Sequence, residues 1–274
     1  MRFDSQQLAT LASVVREGSF EAAARALRVT PSAVSQRVKA LEETAGQILV
    51  KRTKPCAATE AGQPLLRLAG QIALLEQEAV QDPLARATIV VNSDSLATWF
   101  MPALQGLPYL FDIREDDEDH TLDWLRDGSV MAAVTTQNVA VQGCRVERLG
   151  AMRYVAVCSP ELDHDFVTTP VIVFNRKDQH QHRFMRSVTR RHLDPPVHYI
   201  PSVAAFTAAI RLGLGWAMAP EGEANAEVKA GRWKRIARSH HLDVPLYWQY
   251  WRLGSAMLQD LTTAVKAAAH VLVK

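Results

Sequence analysis

Apolar positions recur with a helical period through the first eighty residues. Beyond that they gather into short runs alternating with helical patterns, so two architectures follow one another along the chain. Between Ser5 and Glu17, Leu8, Leu11 and Val15 share one helical face. Phe20, Ala23, Ala24 and Leu27 repeat the spacing behind Ser19, whose hydroxyl suits an N-cap. Arg28-Val29 turns the chain, Thr30 caps a further helix, and Pro31 takes its first position, where a missing N–H costs nothing. In that helix Val34, Val38 and Leu41 fall at i, i+4 and i+7 and face inward. At about 100° per residue, Ser32, Gln36 and Lys39 then lie on the far side, with Ser35 and Arg37 on the flanks. Two short helices joined by a tight turn, the second with a polar and basic outer face, are the arrangement that lays a helix in the major groove of DNA.

Ile48-Leu49-Val50 followed by Lys51-Arg52-Thr53-Lys54-Pro55 predicts a short strand entering a basic wing. Leu65, Leu68, Ile72, Leu75 and Ala79 then step by three and four along a long helix, a heptad seam suited to pairing two copies of the chain. Gln81-Asp82-Pro83 ends it. From Ala87 the pattern predicts strands at Thr88–Val91, Leu110–Ile113, Val130–Val134, Tyr154–Val157, Val171–Phe174, Trp216–Met218 and Leu246–Trp251. Helices are predicted near Ala97–Leu104, His120–Asp127, Val203–Leu212 and Ala256–Val273. Strands alternating with helices argue for parallel sheets in two α/β lobes with a cleft between them.

Charge sharpens the first part. Seven Lys and Arg face three Glu between Ser19 and Lys54, whereas the whole chain of 274 residues carries only +2, so positive charge concentrates on the helix pair and wing. The composition is that of an ordinary globular protein, and the sequence holds no apolar stretch long enough for a membrane span. The N-terminus lacks the apolar core of a signal peptide. Three widely spaced cysteines, Cys56, Cys144 and Cys158, suggest reduced thiols, and a cytoplasmic protein is expected.

Three polar turns fall outside strand ends, where α/β clefts gather ligand contacts. They are Ser93-Asp94-Ser95 with Thr98, Thr135-Thr136, and Pro201-Ser202. Hydroxyls and N–H groups at the first suit a carboxylate, although all three could be capping residues alone. The acidic run Glu115–Asp119 follows a strand end at the cleft rim, where Asp116 and Asp117 would face a cation; a solvated acidic loop is the plainer explanation. Together these suit an amphoteric, cationic molecule. Gly213-Leu214-Gly215 lacks the third glycine of a dinucleotide fingerprint and ends a helix instead. His180-Gln181-His182 and His240-His241 have no suitably spaced partners and are expected on the surface. No nucleophile–base–orienter set or phosphate loop is visible, so no catalytic residues, metal or cofactor are expected.

The stretch SFEAAARALRVTPSAVSQRVKALEETAGQILVKRTKPCAATEAG resembles the LysR-type transcriptional regulators, and a linker helix and two-lobed domain follow in the family's order. VNSDSLATWF (91–100), REDDEDHTLDWLRDGSVMAAVT (114–135), QGCRVERLGAMRY (142–154), FTAAIRLGLGWAMAPE (206–221) and LDVPLYWQYWRL (242–253) are similar to the branch of that family that controls basic amino acid export. The resemblance implies an α/β plus all-α chain. Residues 1–62 would form a winged helix-turn-helix DNA-binding domain, and 63–86 a linker (dimerisation) helix and hinge. Residues 87–274 would form a periplasmic-binding-protein-like effector domain, with lobe I at about 87–148 and 253–274 and lobe II at about 149–252. It implies double-stranded promoter DNA, RNA polymerase and a lysine or arginine effector as partners, and a homodimer assembled into a homotetramer. Carried over by position, DNA contacts fall to Ser32, Ser35, Gln36, Arg37, Lys39 and Arg52. Effector contacts fall to Ser93, Ser95, Thr98, Trp99, Asp116, Asp117, Thr135, Ser202 and Phe206. The chain departs from the branch at Ala204-Ala205, where relatives carry Glu-Gly, and is several residues short between Pro102 and Asp112 and near Pro83. A different small-molecule effector, a nucleoid-type architectural protein, and a cleft enzyme or solute-binding protein with a DNA-binding appendage share parts of this pattern.

Overall fold

A computed structural model describes residues 2–115 and 121–274. The chain opens with α1 (Ser5–Glu17), α2 (Phe20–Leu27) and α3 (Pro31–Ala45), then β1 (Val50–Lys51), β2 (Ala57–Ala58) and the long α4 (Gln63–Ala79). There follow β3 (Arg86–Val91), α5 (Ser93–Ser95), β4 (Leu110–Glu115), α6 (Thr121–Arg126), β5 (Ala132–Thr135), β6 (Cys144–Cys158) and β7 (Val171–Val173). The rest comprises α7 (His180–Thr189), β8 (Val197–Tyr199), α8 (Val203–Arg211), β9 (Ala217–Pro220), α9 (Glu221–Lys229), β10 (Lys234–Arg235), β11 (Leu242–Trp251) and α10 (Ala256–Ala268).

Local chemistry sets the helix ends in the first part. Asp4 caps α1 by accepting from Gln7 N, Ser19 caps α2 by accepting from Ala22 N, and Thr30 caps α3 by accepting from Ala33 N. Gly18 and Gly46 close α1 and α3 in the left-handed conformation. Leu8, Leu11, Val14, Ala23, Ala24, Val34, Val38 and Leu41 bury one core, against which α4 lays Leu66 and Ala69. Val15 packs half-buried on this core, as the spacing predicts, and Val14 beside it is fully buried. The cause is that α1 packs on α4 as well as on α2 and α3, which widens its apolar stripe. The wing strand is also shorter than expected. Ile48 is 65% exposed, and pairing starts at Val50 opposite Ala58.

Compactness divides the chain into two units. The first comprises Met1–Asn92, Leu104–Glu147 and Tyr247–Ala264, so α1–α4 share it with β3, β4 and β5. Within it β3 pairs in parallel with β4 (Ile89 opposite Ile113) and with β5 (Val90 opposite Ala133), and β5 pairs antiparallel with the last residues of β11 (Trp248 opposite Val134). The N-terminal residues of α4 pack on the helical core. Its last turn is tied to α10, with the Glu78 carboxylate accepting from Ser255 Oγ at 2.6 Å and Met257 N at 2.9 Å. Of the heptad seam, Leu65, Leu68 and Ile72 are half-buried, whereas Leu75 and Ala79 are exposed.

The second unit comprises Ser93–Ala103, Arg148–Leu246 and Val265–Lys274. Here β6 pairs antiparallel with β9 and β10, β7 pairs in parallel with β8, and Val155, Val157, Ile172, Ala209, Ile210, Ala217 and Trp233 form the core. Among the described strand pairs, the expectation of parallel sheets therefore holds for β3 with β4 and β5 and for β7 with β8, whereas β6 with β9 and β10, and β5 with β11, are antiparallel. No sequence expectation covers α7, in which Gln181, Phe184 and Met185 are buried among polar neighbours. Among the described residues, no helix is long and apolar enough to cross a membrane, and no group of three His, Cys, Asp or Glu is placed to hold a metal ion.

Candidate nucleic-acid interface and ligand turn

The periodicity of α3 sorts its side chains. With Val34, Val38 and Leu41 inward, Ser32, Gln36 and Lys39 are exposed together on the outer face, and Ser35 and Arg37 are half-buried beside them. Lys39 Nζ lies 3.7 Å from Glu43 Oε1, an exposed pair one helical turn apart. Such a pair contributes only about 0.3–0.5 kcal/mol, too little to withhold Lys39 from a phosphate. Arg52 sits in the wing with its guanidinium 4.8 Å from the centre of the Phe20 ring. That face attraction holds a flexible cation near α2. The wing is anchored by a residue that sequence reasoning missed: Glu42 Oε1 accepts from Leu49 N at 2.8 Å and from Val50 N at 3.4 Å. Its only sequence signal is a carboxylate near the end of α3.

The second feature is the turn after β3. The helix expected near Ala97 begins instead at Ser93, makes the single turn α5, and continues as π-helix over Leu96–Phe100 and 3₁₀-helix over Met101–Leu104. A π-helical turn recurs at ligand sites because it displaces side chains from the ordinary helical stripe. Ser95 is fully buried and Trp99 is 4% exposed, yet among the described residues neither Ser95 Oγ nor Trp99 Nε1 has a hydrogen-bond partner. A buried polar group left unmade costs about 1–3 kcal/mol, which a ligand offering an acceptor would recover. Thr98 is exposed, and its hydroxyl donates to the Asp94 carbonyl within the same turn.

Between the serines, the Asp94 carboxylate accepts from the Tyr154 hydroxyl at 2.6 Å. The Tyr154 ring in turn packs on the His180 ring, with centroids 4.6 Å apart and planes tilted by 30°. His180 Nδ1 lies 3.3 Å from Asp178 Oδ1. The expectation of His180 as a surface histidine is therefore corrected, because packing on Tyr154 withdraws most of its ring from water. Glu223 adds negative charge nearby. Burial raises its pKa, the Thr207 hydroxyl donating at 2.7 Å opposes the rise, and the charge of Asp94 adds to it.

The remaining expected residues are dispersed. Ser202 is exposed and caps α8, accepting from Ala205 N, while Phe206 packs half-buried on the core of the second unit. Thr135 belongs to the first unit, where its buried hydroxyl accepts from Gln137 N. Asp116 and Asp117 lie outside the described residues. Ser93, Ser95, Thr98 and Trp99 thus share one turn, with Ser202 and Phe206 on another element of the same unit.

Comparison with known proteins agrees with this layout. Residues 5–63 match the model of the bacterial regulatory helix-turn-helix protein, lysR family, and residues 81–270 match that of the LysR substrate binding domain. The crystal structure of ArgP from Mycobacterium tuberculosis is similar at 47% identity and a TM-score of 0.91, covering 100% of this chain and 99% of that one. The lysine export transcriptional regulatory protein LysG of Corynebacterium glutamicum is 42% identical over 96% of this chain and 97% of its own. Full-length LysG from Corynebacterium glutamicum with bound effector Arg is similar at 40% identity and a TM-score of 0.81, covering 99% of this chain and 100% of that one. An outward basic recognition helix, a wing, a long linker helix and a ligand-binding α/β region are thereby joined in one lineage: the chain belongs to the LysR family of bacterial transcriptional regulators.

Proposed function

We propose that this regulator controls a basic amino acid exporter gene, with lysine or arginine as its effector. The observation that carries the ligand half is a pair of donors on the turn after β3, Ser95 Oγ and Trp99 Nε1, that have no partner among the described residues. Two buried donors suit a carboxylate. The acidic residues Asp116 and Asp117 supply charge for a cationic side chain, and Thr135, Ser202, Phe206, Ser93 and Thr98 complete the effector contacts. The bound arginine of the LysG relative supports the same ligand class. An effector acts only through its different affinity for two arrangements of the protein.

On DNA, Ser32, Ser35, Gln36, Arg37 and Lys39 of α3 enter the major groove, and Arg52 of the wing lies along the backbone. The exposed Leu75 and Ala79 of α4 pair with a second copy, so that two recognition helices stand about one DNA turn apart. Two such dimers then span a promoter and present it to RNA polymerase. Residues 1–62 read DNA, 63–86 pair the copies, and 87–274 sense the effector. The protein acts in the cytoplasm and catalyses no reaction. Thermal denaturation in the presence of each of the twenty amino acids tests the sensing role. A ligand at 100 times its Kd stabilises by about 2.7 kcal/mol. A rise in Tm with lysine or arginine supports the assignment, and a rise confined to other amino acids contradicts it.

A further inference from the structure

An α-amino acid carries its carboxylate and its ammonium on the same carbon, so a site that reads one must place a group of opposite kind beside it. Ser95 Oγ and Trp99 Nε1 are donors, and the carboxylate on their own turn is Asp94, adjacent to Ser95 in the chain. We propose that Asp94 accepts the effector's α-ammonium group and thereby selects α-amino acids over their des-amino analogues. This rests on the reading that the turn after β3 binds an amino acid.

The geometry prepares Asp94 for that role. The Tyr154 hydroxyl holds Oδ2 at 2.6 Å, the short distance of a charge-assisted bond. Tyr154 is itself 2% exposed, sits in the middle of β6, and is packed on His180, whose ring nitrogen faces Asp178. The carboxylate is therefore fixed by a chain of part-buried contacts running from β6 to α7. A fixed carboxylate binds an ammonium without first losing its own rotational freedom. Tyr154 acts here as a positioning residue and Asp94 as the contact. Neither role serves the cationic side chain of lysine or arginine, so both are separable from selection for basic residues.

The test is calorimetric titration of the full-length chain with L-arginine and with its des-amino analogue, guanidinovaleric acid. The wild-type chain is expected to bind arginine at least about 20-fold more tightly than the analogue, the size of one charge-assisted bond. Asp94→Asn should shrink that ratio to about 3-fold or less while changing the analogue's affinity little. Tyr154→Phe should lower the ratio part of the way. A purely structural role for Asp94 would weaken both ligands alike and leave the ratio intact, which overturns the proposal. If Asp94→Asn does not fold cooperatively, Tyr154→Phe decides, and an unchanged ratio there overturns it too. Should the wild-type chain bind neither arginine nor lysine, the basic-effector reading fails. The same pair of measurements is then made with the amino acid that raises Tm most and its des-amino form, and an absence of binding by any α-amino acid overturns the proposal as well.

Discussion

Glu78, in the last turn of α4, accepts a 2.6 Å hydrogen bond from the hydroxyl of Ser255, 177 residues away in sequence. The same oxygen takes the backbone N–H of Met257 in the first turn of α10, so one carboxylate caps a helix that the chain reaches only after crossing the second unit. The helix proposed to pair two copies is thereby fastened to a helix of the effector-sensing region. Glu78→Ala should lower stability by about 1–2 kcal/mol, the ordinary cost of a lost cap. In a double-mutant cycle with Ser255→Ala the two losses should fall short of additivity by at least about 0.5 kcal/mol. Urea denaturation of the four proteins measures this, and strict additivity would show that the contact stores no energy.

The wing depends on Glu42 in a similar way. Removing its carboxylate leaves Leu49 N and Val50 N without their acceptor and frees the wing that carries Arg52. Glu42→Ala removes a negative charge from a DNA-facing region, which by Coulomb's law alone would tighten binding. Loss of the anchor acts the other way, and the expected result is weaker binding to every DNA sequence. Tighter binding in a fluorescence anisotropy titration would mean that charge, not wing position, governs the contact.

On α3 two of the exposed polar residues should separate base reading from phosphate contact. Gln36→Ala is expected to cost about 1–3 kcal/mol on a specific site and little on random DNA. Lys39→Ala should weaken both alike and reduce the salt slope by about one. Equal losses on both DNAs for Gln36→Ala would remove it from base readout.

The acid limb of the stability curve should carry the signature of Glu227. This carboxylate, 6% exposed, receives paired hydrogen bonds from Arg232 and from Arg211. The Arg232 bonds first, then those of Arg211, hold its pKa at about 2, against an ordinary 4.5. A folded-state pKa below the unfolded value means the stabilisation is complete above about pH 5 and fades as pH falls through about 4.5 towards 2. Glu227→Gln should therefore be destabilised relative to wild type at pH 7, and the gap should narrow below pH 4. A gap that stays constant from pH 7 to pH 3 would deny the ion pairs their role.

The parts legible in the sequence are those set by neighbours a few residues apart. The caps at Ser19 and Thr30, the inward Val34, Val38 and Leu41, and the outward Ser32, Gln36 and Lys39 follow from cap chemistry and helical period alone. What escaped depends on contacts between distant segments. Tyr154 meets Asp94 across sixty residues, and no local pattern announces it. The Ser93–Asp94–Ser95 stretch is legible as a polar turn, but nothing in its spacing marks which partner holds the carboxylate between the two hydroxyls. The stripe Gln181, Phe184 and Met185 is masked by the polar remainder of α7, and its first member is itself polar. Val14 joins Val15 in the apolar stripe because a fourth helix, not evident from the spacing of α1, packs beside it.

The most direct measurement is fluorescence anisotropy of a labelled fragment from upstream of the protein's own gene. It is titrated with the full-length chain at physiological salt, with and without L-lysine or L-arginine. The account predicts binding at least about 10³-fold tighter than to random DNA. It also predicts a change in apparent affinity or stoichiometry with these two amino acids and none with glycine or glutamate. Equal affinity for random DNA, or a titration that the basic amino acids leave unmoved, would contradict it.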